Sequence, residues 1–159
     1  GQGRPLANRG GAVNYIVGGW QTNGIVIMQT GLPFTVSDAA ANPGGRPDYL
    51  RDAALPSSER SLQRWFDTAA FTTPRIYTYG NLARNSLFGP GRVNFDMSLF
   101  KDFPIKERAT VQFRAEAFNI FNTPQFGLPA STVNAPGAGA VTSTVGNPRQ
   151  LQMALKVLF

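Results

Sequence analysis

The last eleven residues, Arg149 to Phe159, alternate between apolar and polar side chains, and this pattern constrains the fold more than any other. With a strand period of two, one face carries only apolar side chains, namely Leu151, Met153, Leu155, Val157 and Phe159. The other face carries Gln150, Gln152, Ala154, Lys156 and one apolar residue, Leu158. At about 3.3 Å per residue the segment extends roughly 36 Å, enough to cross a membrane's hydrocarbon layer when tilted. The pattern fits either the last strand of a soluble β-sandwich or barrel, or the closing strand of an outer-membrane barrel.

The composition favours strands separated by turns. The 159 residues include 17 glycines, 12 prolines and 12 phenylalanines. The apolar residues alternate with polar ones and never form the run of about 18 that a transmembrane helix needs. We therefore expect an all-β fold, an antiparallel meander of about five or six long strands that is part of a barrel or of an oligomeric β-assembly.

The sequence contains few side chains that could act in catalysis or bind a metal ion. The sequence contains no histidine and no cysteine, which removes the commonest general base and metal ligand and any thiolate. We therefore predict neither an enzyme nor a cofactor. The net charge of +6 comes from lysines and arginines scattered singly, so nucleic acid is not predicted as a partner.

Residues 1–159 are predicted to form a single β-barrel-type segment with long loops. The first ten residues resemble a connector without the apolar segment of a secretion signal, which favours a processed or truncated chain. A loop over residues 38–74 is predicted to carry a short helix capped by Ser57 or Ser58, and a glycine-rich loop spans residues 130–148. Strands are predicted over residues 12–30, 34–37, 75–79, 93–103, 110–121 and 149–159. The strands at 93–103 and 110–121 form the clearest hairpin, and long loops at one end are typical of membrane barrels.

Polar residues alternate along the hairpin and the final strand, and we predict that they form one lumen- or solvent-facing surface. This set comprises Asp96, Ser98, Gln112, Arg114, Glu116, Gln150, Gln152 and Lys156. Arg114 and Glu116 are two residues apart and are interpreted as an ion pair and not as an acid–base pair, because no nucleophile or metal ligand converges on them. Asp96 and Asp102 are interpreted in the same way, as solvated carboxylates on one strand face.

Several segments, taken in order, resemble the C-terminal end of TonB-dependent outer-membrane receptors. They include Gln29-Thr-Gly-Leu-Pro-Phe-Thr-Val36 and Arg64-Trp-Phe-Asp-Thr-Ala-Ala-Phe71, followed by residues 80–91 and 113–126. The most similar group is the Oar-like receptors that begin with a carboxypeptidase-regulatory-like domain. Residues 20–26 and the segment from Val145 to Phe159 extend the resemblance over nearly the whole chain.

The resemblance implies a piece of a barrel of about 22 strands that encloses a plug and imports bulky ligands across the bacterial outer membrane. The plug and the TonB box are not part of this sequence, so transport is not carried over to the 159 residues alone. What maps residue by residue is the assembly signal of the family, at Leu151, Met153, Leu155, Val157 and Phe159. Membrane lipid and the barrel-assembly machinery are the implied partners.

A second hypothesis from a different class remains open. Five or six strands do not close a wide barrel, and open edges invite strand pairing. The chain would then be a stand-alone, extracellular β-protein whose partners are other copies of itself, a homo-oligomer in the form of a tube, fibre or ring.

Overall fold

The computed structural model describes residues 16–42, 44–106 and 109–159, and the fold in these ranges is all-β, as predicted. The predicted connector at residues 1–10 and the start of the first strand, at 12–15, lie outside the described residues. Residues 16–19, also predicted as strand, instead form a helical turn and a bend, with Gly19 at a φ of 72°. In chain order the strands are β1 (Trp20–Gln29), β2 (Pro33–Phe34), β3 (Ser37–Asp38), β4 (Asp48–Tyr49), β5 (Phe71–Thr72), β6 (Leu87–Phe88), β7 (Arg92–Lys106), β8 (Ala109–Phe118), β9 (Thr132–Val133) and β10 (Gln150–Leu158). Within the same ranges, no helix has the length and apolar character needed to cross a membrane.

The four long strands form one sheet in the order β1-β7-β8-β10. β7 and β8 are separated by two residues and pair antiparallel, which confirms the predicted hairpin. β8 and β10 pair antiparallel over the whole length of β10, from Gln150 opposite Phe118 to Leu158 opposite Thr110. Phe118 and Gln150 therefore lie at one end of the sheet, and the short β7–β8 connection lies at the other end.

β7 is longer than the sequence pattern predicted. The sequence pattern predicted that this strand ends at residue 103, just before Pro104, which has no backbone N–H to donate. The strand instead continues to Lys106, with Pro104 opposite Thr110 and a register shift between Pro104 and Lys106. The register of the pair thus changes next to the proline, and such an irregularity is one of the few places where a sheet accommodates a residue without an N–H donor.

The described residues form two compact units. Of the described residues, the sheet unit takes those up to Ile27 and those within Val93–Thr123 and Asn147–Phe159, whereas the loop unit takes those within Met28–Arg92 and Pro124–Gly146. The three two-residue strand pairs, β2–β6, β3–β9 and β4–β5, all belong to the loop unit. β3 and β9 are parallel, which joins the two separate segments of this unit.

The loop unit contains a small aromatic core. Its buried residues are Phe34, Val36, Ala53, Phe66, Ala70, Phe71, Leu82, Leu87 and Val133. The ring of Phe66 lies at the centre, 5.7 Å from the ring of Phe34 and 6.0 Å from that of Phe71. Two-residue strands supply few ladder hydrogen bonds, so apolar burial contributes most of the stabilisation here.

Three local predictions in the loop unit are wrong. The strand predicted at residues 34–37 is interrupted at residues 35–36, because β2 and β3 pair with two different strands, β6 and β9. The helix predicted at Ser57 or Ser58 is a single turn, because residues 56–61 are all exposed and offer no apolar face to bury. The short helix of this region is a 3-10 turn at Thr68–Ala70, where the carboxylate of Asp67 accepts a hydrogen bond from the amide of Ala69. The strand predicted at residues 75–79 is a β-turn in which Tyr77 has a φ of 66°.

A buried carboxylate links the two segments of the loop unit. Asp38 is 1% exposed and accepts hydrogen bonds from Thr73 Oγ1 at 2.6 Å, Ala40 N at 2.9 Å and Asn134 Nδ2 at 3.2 Å. Burial raises the pKa of Asp38, but the three donors together outweigh it, so the pKa lies below its ordinary value of 3.8. The loop unit therefore holds Asp38 in its ionised form.

This network predicts a stability that depends on pH. Because the pKa of Asp38 is lower in the folded chain, its contribution is complete above pH 3.8 and is lost as the pH falls through the folded-state pKa. Asp38→Asn should lower the free energy of unfolding by about 1–2 kcal/mol at neutral pH and by little at the acid end. Chemical unfolding at stepped pH measures both values.

The hydroxyl of Thr73 provides an independent check, because it donates the shortest of the three hydrogen bonds to Asp38. Thr73→Val keeps the shape of the side chain and removes this donor, so the acid-dependent loss of stability should begin at higher pH. The salt-bridged Asp67 also has a lowered pKa, chiefly through its hydrogen bond from Arg51, and keeps part of the acid dependence in both variants. An unchanged pH profile in Asp38→Asn would assign the whole effect to Asp67.

Candidate functional site: the polar face of the sheet

The polar residues predicted from alternation lie on one face of the sheet, in rows that run across β7, β8 and β10. One row contains Ser98, Glu116 and Gln152, and the row beside it contains Phe100, Arg114 and Ala154. A third row contains Asp102, Gln112 and Lys156. Strict alternation on three paired strands produces this arrangement, because residues in register share a face.

Arg114 is at the centre of this polar face. Its Nη2 donates to Glu116 Oε1 at 3.0 Å, and its guanidinium carbon lies 4.9 Å from the centre of the Phe100 ring. The salt bridge is partly exposed, with 39% of the Arg114 side chain and 21% of the Glu116 side chain accessible. A salt bridge at this exposure contributes little to stability, so its main effect is to fix the position of both charged groups.

A shallow recess of about 130 Å³ opens beside this pair. It is lined by Arg114, Glu116, Gln152 and Ala154. The space exists because Ala154, a small residue, lies opposite the long side chain of Arg114 in the register of β8 and β10. Such a recess holds a few water molecules or one polar group of a larger ligand.

The next row of the polar face is also internally paired. Gln112 Nε2 donates to Asp102 Oδ1 at 2.9 Å, directly across the β7–β8 pair. Lys156 faces Gln112 from β10 and is exposed. Within the described residues, no group of three or more His, Cys, Asp or Glu side chains is placed to hold a metal ion.

At the other end of the polar face, Asp96 belongs to a junction that sequence reasoning did not anticipate. Its Oδ1 accepts from Asn94 Nδ2 at 2.9 Å and from the backbone N of Asn119 at 2.8 Å. Asn119 is buried, has a φ of 49°, and donates from Nδ2 to the carbonyls of Thr123 and Asn147. Its Oδ1 accepts from Thr123 N at 2.9 Å.

Asn119 thereby ties the end of β8 to the chain that enters β10. Asn122, with a φ of 52°, adds a second tie, because its Oδ1 accepts from Arg149 N at 2.9 Å. Asparagine is the side chain best suited to a left-handed backbone that must also be bridged by hydrogen bonds. In the sequence, two asparagines three positions apart, Asn119 and Asn122, follow the alternating residues of β8, and this pair could have predicted the turn.

The opposite face of the sheet is apolar and exposed. On β10, Leu151, Met153, Leu155 and Val157 are 58–73% exposed. In register with them are Ala117, Ala115, Phe113 and Val111 on β8, followed by Met97, Leu99, Lys101 and Phe103 on β7. The five predicted assembly-signal residues thus include four that continue this apolar face, and Phe159 follows directly after β10; their role in assembly stays a prediction.

Lys101 is the charged exception on the apolar face. It is 2% exposed, and its Nζ donates to the carbonyl of Gly18 and, at 3.4 Å, to that of Ile16. The rings of Trp20 and Phe103 lie 5.2 Å and 5.3 Å from the same nitrogen. Carbonyl oxygens and aromatic faces replace water around the ammonium group, which lets a lysine remain on an apolar surface.

A sheet with one exposed apolar face, one face of internally paired polar groups and a two-residue connection at one end has the construction of a membrane β-barrel wall. The chain belongs to the outer membrane beta barrel domain family, whose model matches residues 1–152. Its location is therefore the bacterial outer membrane. Searches of curated proteins and of solved structures returned no match.

Proposed function

We propose that the chain is part of the wall of a TonB-dependent outer-membrane receptor of the Oar-like group, with its polar face turned to a lumen through which a bulky ligand is imported. The observation that carries the proposal is the polar face itself. On β7 and β8 its charged side chains have partners within the sheet, as Arg114 has in Glu116, and Lys156 on β10 is exposed, while the opposite face is apolar and exposed. The order of the receptor-like segments along the chain supports the same family.

The pairing of charges distinguishes this wall from that of an open ion channel. A selective pore is lined by rings of unpaired charge of one sign, which raise the local concentration of the permeant ion. Here Arg114 is neutralised by Glu116, and Asp102 is hydrogen-bonded to Gln112. A surface of this kind suits contact with a folded domain or a large polar ligand better than the attraction of small ions.

Photo-cross-linking in the outer membrane tests this function. A photoreactive amino acid at position 152, in the polar row of Glu116, should cross-link to a plug domain encoded in the same protein. The same amino acid at position 153 faces the other way and should capture lipid instead. Recovery of no plug segment from position 152, together with open-pore conductance, would remove the receptor proposal and leave a channel.

The orientation of the two faces has its own prediction, which holds for any barrel function. Gln152→Cys should react with a membrane-impermeant, hydrophilic maleimide, whereas Met153→Cys should be protected in the membrane and become reactive after the membrane is dissolved and the protein unfolded. The two positions are neighbours on β10, so differences in expression or strand order affect them alike. Equal labelling of both before unfolding would contradict the division into lumen and lipid faces.

A second candidate function rests on the open edges of the sheet. In the part of the chain that the structure describes, β1 and β10 have a neighbouring strand on one side only. Other copies of the chain are alternative partners for these edges, which would give a self-assembling extracellular tube, fibre or ring. Negative-stain electron microscopy without detergent separates the candidates, since ordered filaments support self-assembly and detergent-dependent single particles support the barrel.

A further inference from the structure

A tight turn in the loop unit displays an isoleucine and two tyrosines to solvent. Ile76, Tyr77 and Tyr79 are 75%, 86% and 74% exposed. Thr78 N donates to the carbonyl of Arg75 at 3.0 Å and closes the turn, and Thr78 Oγ1 donates to the same carbonyl at 2.7 Å. The turn is therefore well defined although its side chains are not packed.

Tyr77 occupies a backbone position that does not favour it. Its φ is 66°, a left-handed conformation that turns normally assign to glycine or asparagine. A bulky residue at such a position costs conformational free energy, and with 86% of its surface exposed the Tyr77 side chain regains little of it through packing. Residues with a strained backbone concentrate at binding sites. There the side chain contacts a ligand, although it contributes little to the packing of the fold.

The turn is fixed against a second segment of the loop unit. Tyr77 N donates to the carbonyl of Asn42 at 3.0 Å, and Leu82 N donates to that of Pro47 at 3.3 Å. Gly80 approaches so closely that a Cβ there would lie 2.2 Å from the carbonyl oxygen of Arg46. The exposed side chains consequently stand on a rigid backbone, which reduces the entropy lost when a partner binds.

The charge of this surface is positive. Arg46 and Arg75 are exposed, and neither forms a salt bridge within the described residues. Asp48 is the nearby carboxylate and accepts a hydrogen bond from the backbone N of Asn81 at 3.1 Å, so the two arginines outweigh its single negative charge. We call Arg46, Arg75, Ile76, Tyr77 and Tyr79 the Tyr77 patch.

We propose that the Tyr77 patch binds an acidic polypeptide segment of a partner protein outside the cell. Long connections of outer-membrane barrels face the exterior, so the loop unit meets extracellular proteins. The free guanidinium groups match carboxylates in bidentate geometry, and the tyrosine rings and Ile76 offer rigid apolar contact area.

A protein is favoured over an anionic polysaccharide by the composition of the loop unit. It contains seven arginines and no lysine, although the chain has lysines elsewhere, at positions 101, 106 and 156. Protein interfaces are enriched in arginine and tyrosine and depleted in lysine. Ile76 adds a purely apolar contact that pairs with a side chain of a peptide more readily than with a sugar hydroxyl.

Fluorescence anisotropy with a labelled, glutamate-rich synthetic peptide that also carries leucines tests the proposal on the purified protein. Arg46→Gln/Arg75→Gln should weaken peptide binding about tenfold. The matched control, Arg84→Gln/Arg149→Gln, removes the same charge from two exposed arginines outside the Tyr77 patch and should leave the affinity unchanged. An equal loss of peptide affinity in both variants would show that binding depends only on the net charge of the protein, and this would overturn the proposal.

Tyr77→Asn supplies the sharper result, because asparagine accepts the left-handed backbone without the ring. The variant should bind the peptide about tenfold more weakly while its melting temperature stays equal or rises. A fall in melting temperature would make the ring structural and overturn the proposal. So would binding of heparin, and not of the peptide, with the same dependence on Tyr77, since this would assign the patch to an anionic polysaccharide.

Discussion

Met153→Lys will abolish most folding of the protein into the outer membrane. Met153 is 72% exposed on the apolar face, near the middle of β10, and we expect it to face the hydrocarbon layer of the membrane. A lysine on the lipid face of a barrel costs about 2–4 kcal/mol at the membrane midplane. This is a large share of the total stability of a typical protein of about 5–15 kcal/mol. The fraction of folded, protease-resistant protein in outer-membrane preparations measures the effect.

The control for this experiment is Gln152→Lys, one position earlier on the same strand. Gln152 lies on the polar face opposite Glu116, so a lysine there meets water and a carboxylate. Its folded fraction should equal that of the unchanged protein. Similar losses in both variants would mean that any charge on β10 disrupts assembly, and the assignment of one face to lipid would then fail.

Asn119→Ala will destabilise the sheet unit by about 4–5 kcal/mol. The substitution removes three side-chain hydrogen bonds, to Thr123 N, Thr123 O and Asn147 O, each contributing about 1 kcal/mol. It also places alanine at a φ of 49°, which costs about 1–2 kcal/mol more. Chemical unfolding of the protein in detergent measures the total, and faster amide exchange along β10 would locate it.

Asn119→Gly separates the two contributions, because glycine adopts the left-handed backbone freely. It should lose the hydrogen-bond contribution but remain about 1–2 kcal/mol more stable than the alanine variant. Equal stability of the two variants would show that the backbone conformation of residue 119 changes on substitution. Wild-type stability in both would show that the junction between β8 and β10 is held elsewhere.

The sheet could be predicted from the sequence because its cause is local. Alternation over nine or more residues places Gln152 and Met153 on opposite faces whatever the partner strand, and the same holds for Arg114 and Phe113. Pairing then brings the polar rows together, since the hairpin fixes the register of β7 and β8. The polar residues predicted as one surface are accordingly found on one face.

The loop unit could not be predicted in this way. Its strands have two residues each, too few to show a period. Two side chains that donate hydrogen bonds to Asp38, Thr73 and Asn134, are 35 and 96 residues away in the sequence, so no local pattern predicts these contacts. The turn at Tyr77 was mistaken for a strand because its β-branched and aromatic residues favour strands, whereas backbone contacts with Asn42 decide its conformation.

The loop unit is built from two separate stretches of chain, so it cannot finish folding until the second stretch has been synthesised. Val133 packs in the same core as Phe34, and β9 pairs with β3, so the core is incomplete until the chain has been made as far as residue 133. β7 and β8 lie between these stretches in the sequence, so both are synthesised before the second stretch. Residues 28–92 therefore leave the ribosome before Val133 can complete their apolar core, and during this interval a chaperone would protect the uncovered side chains.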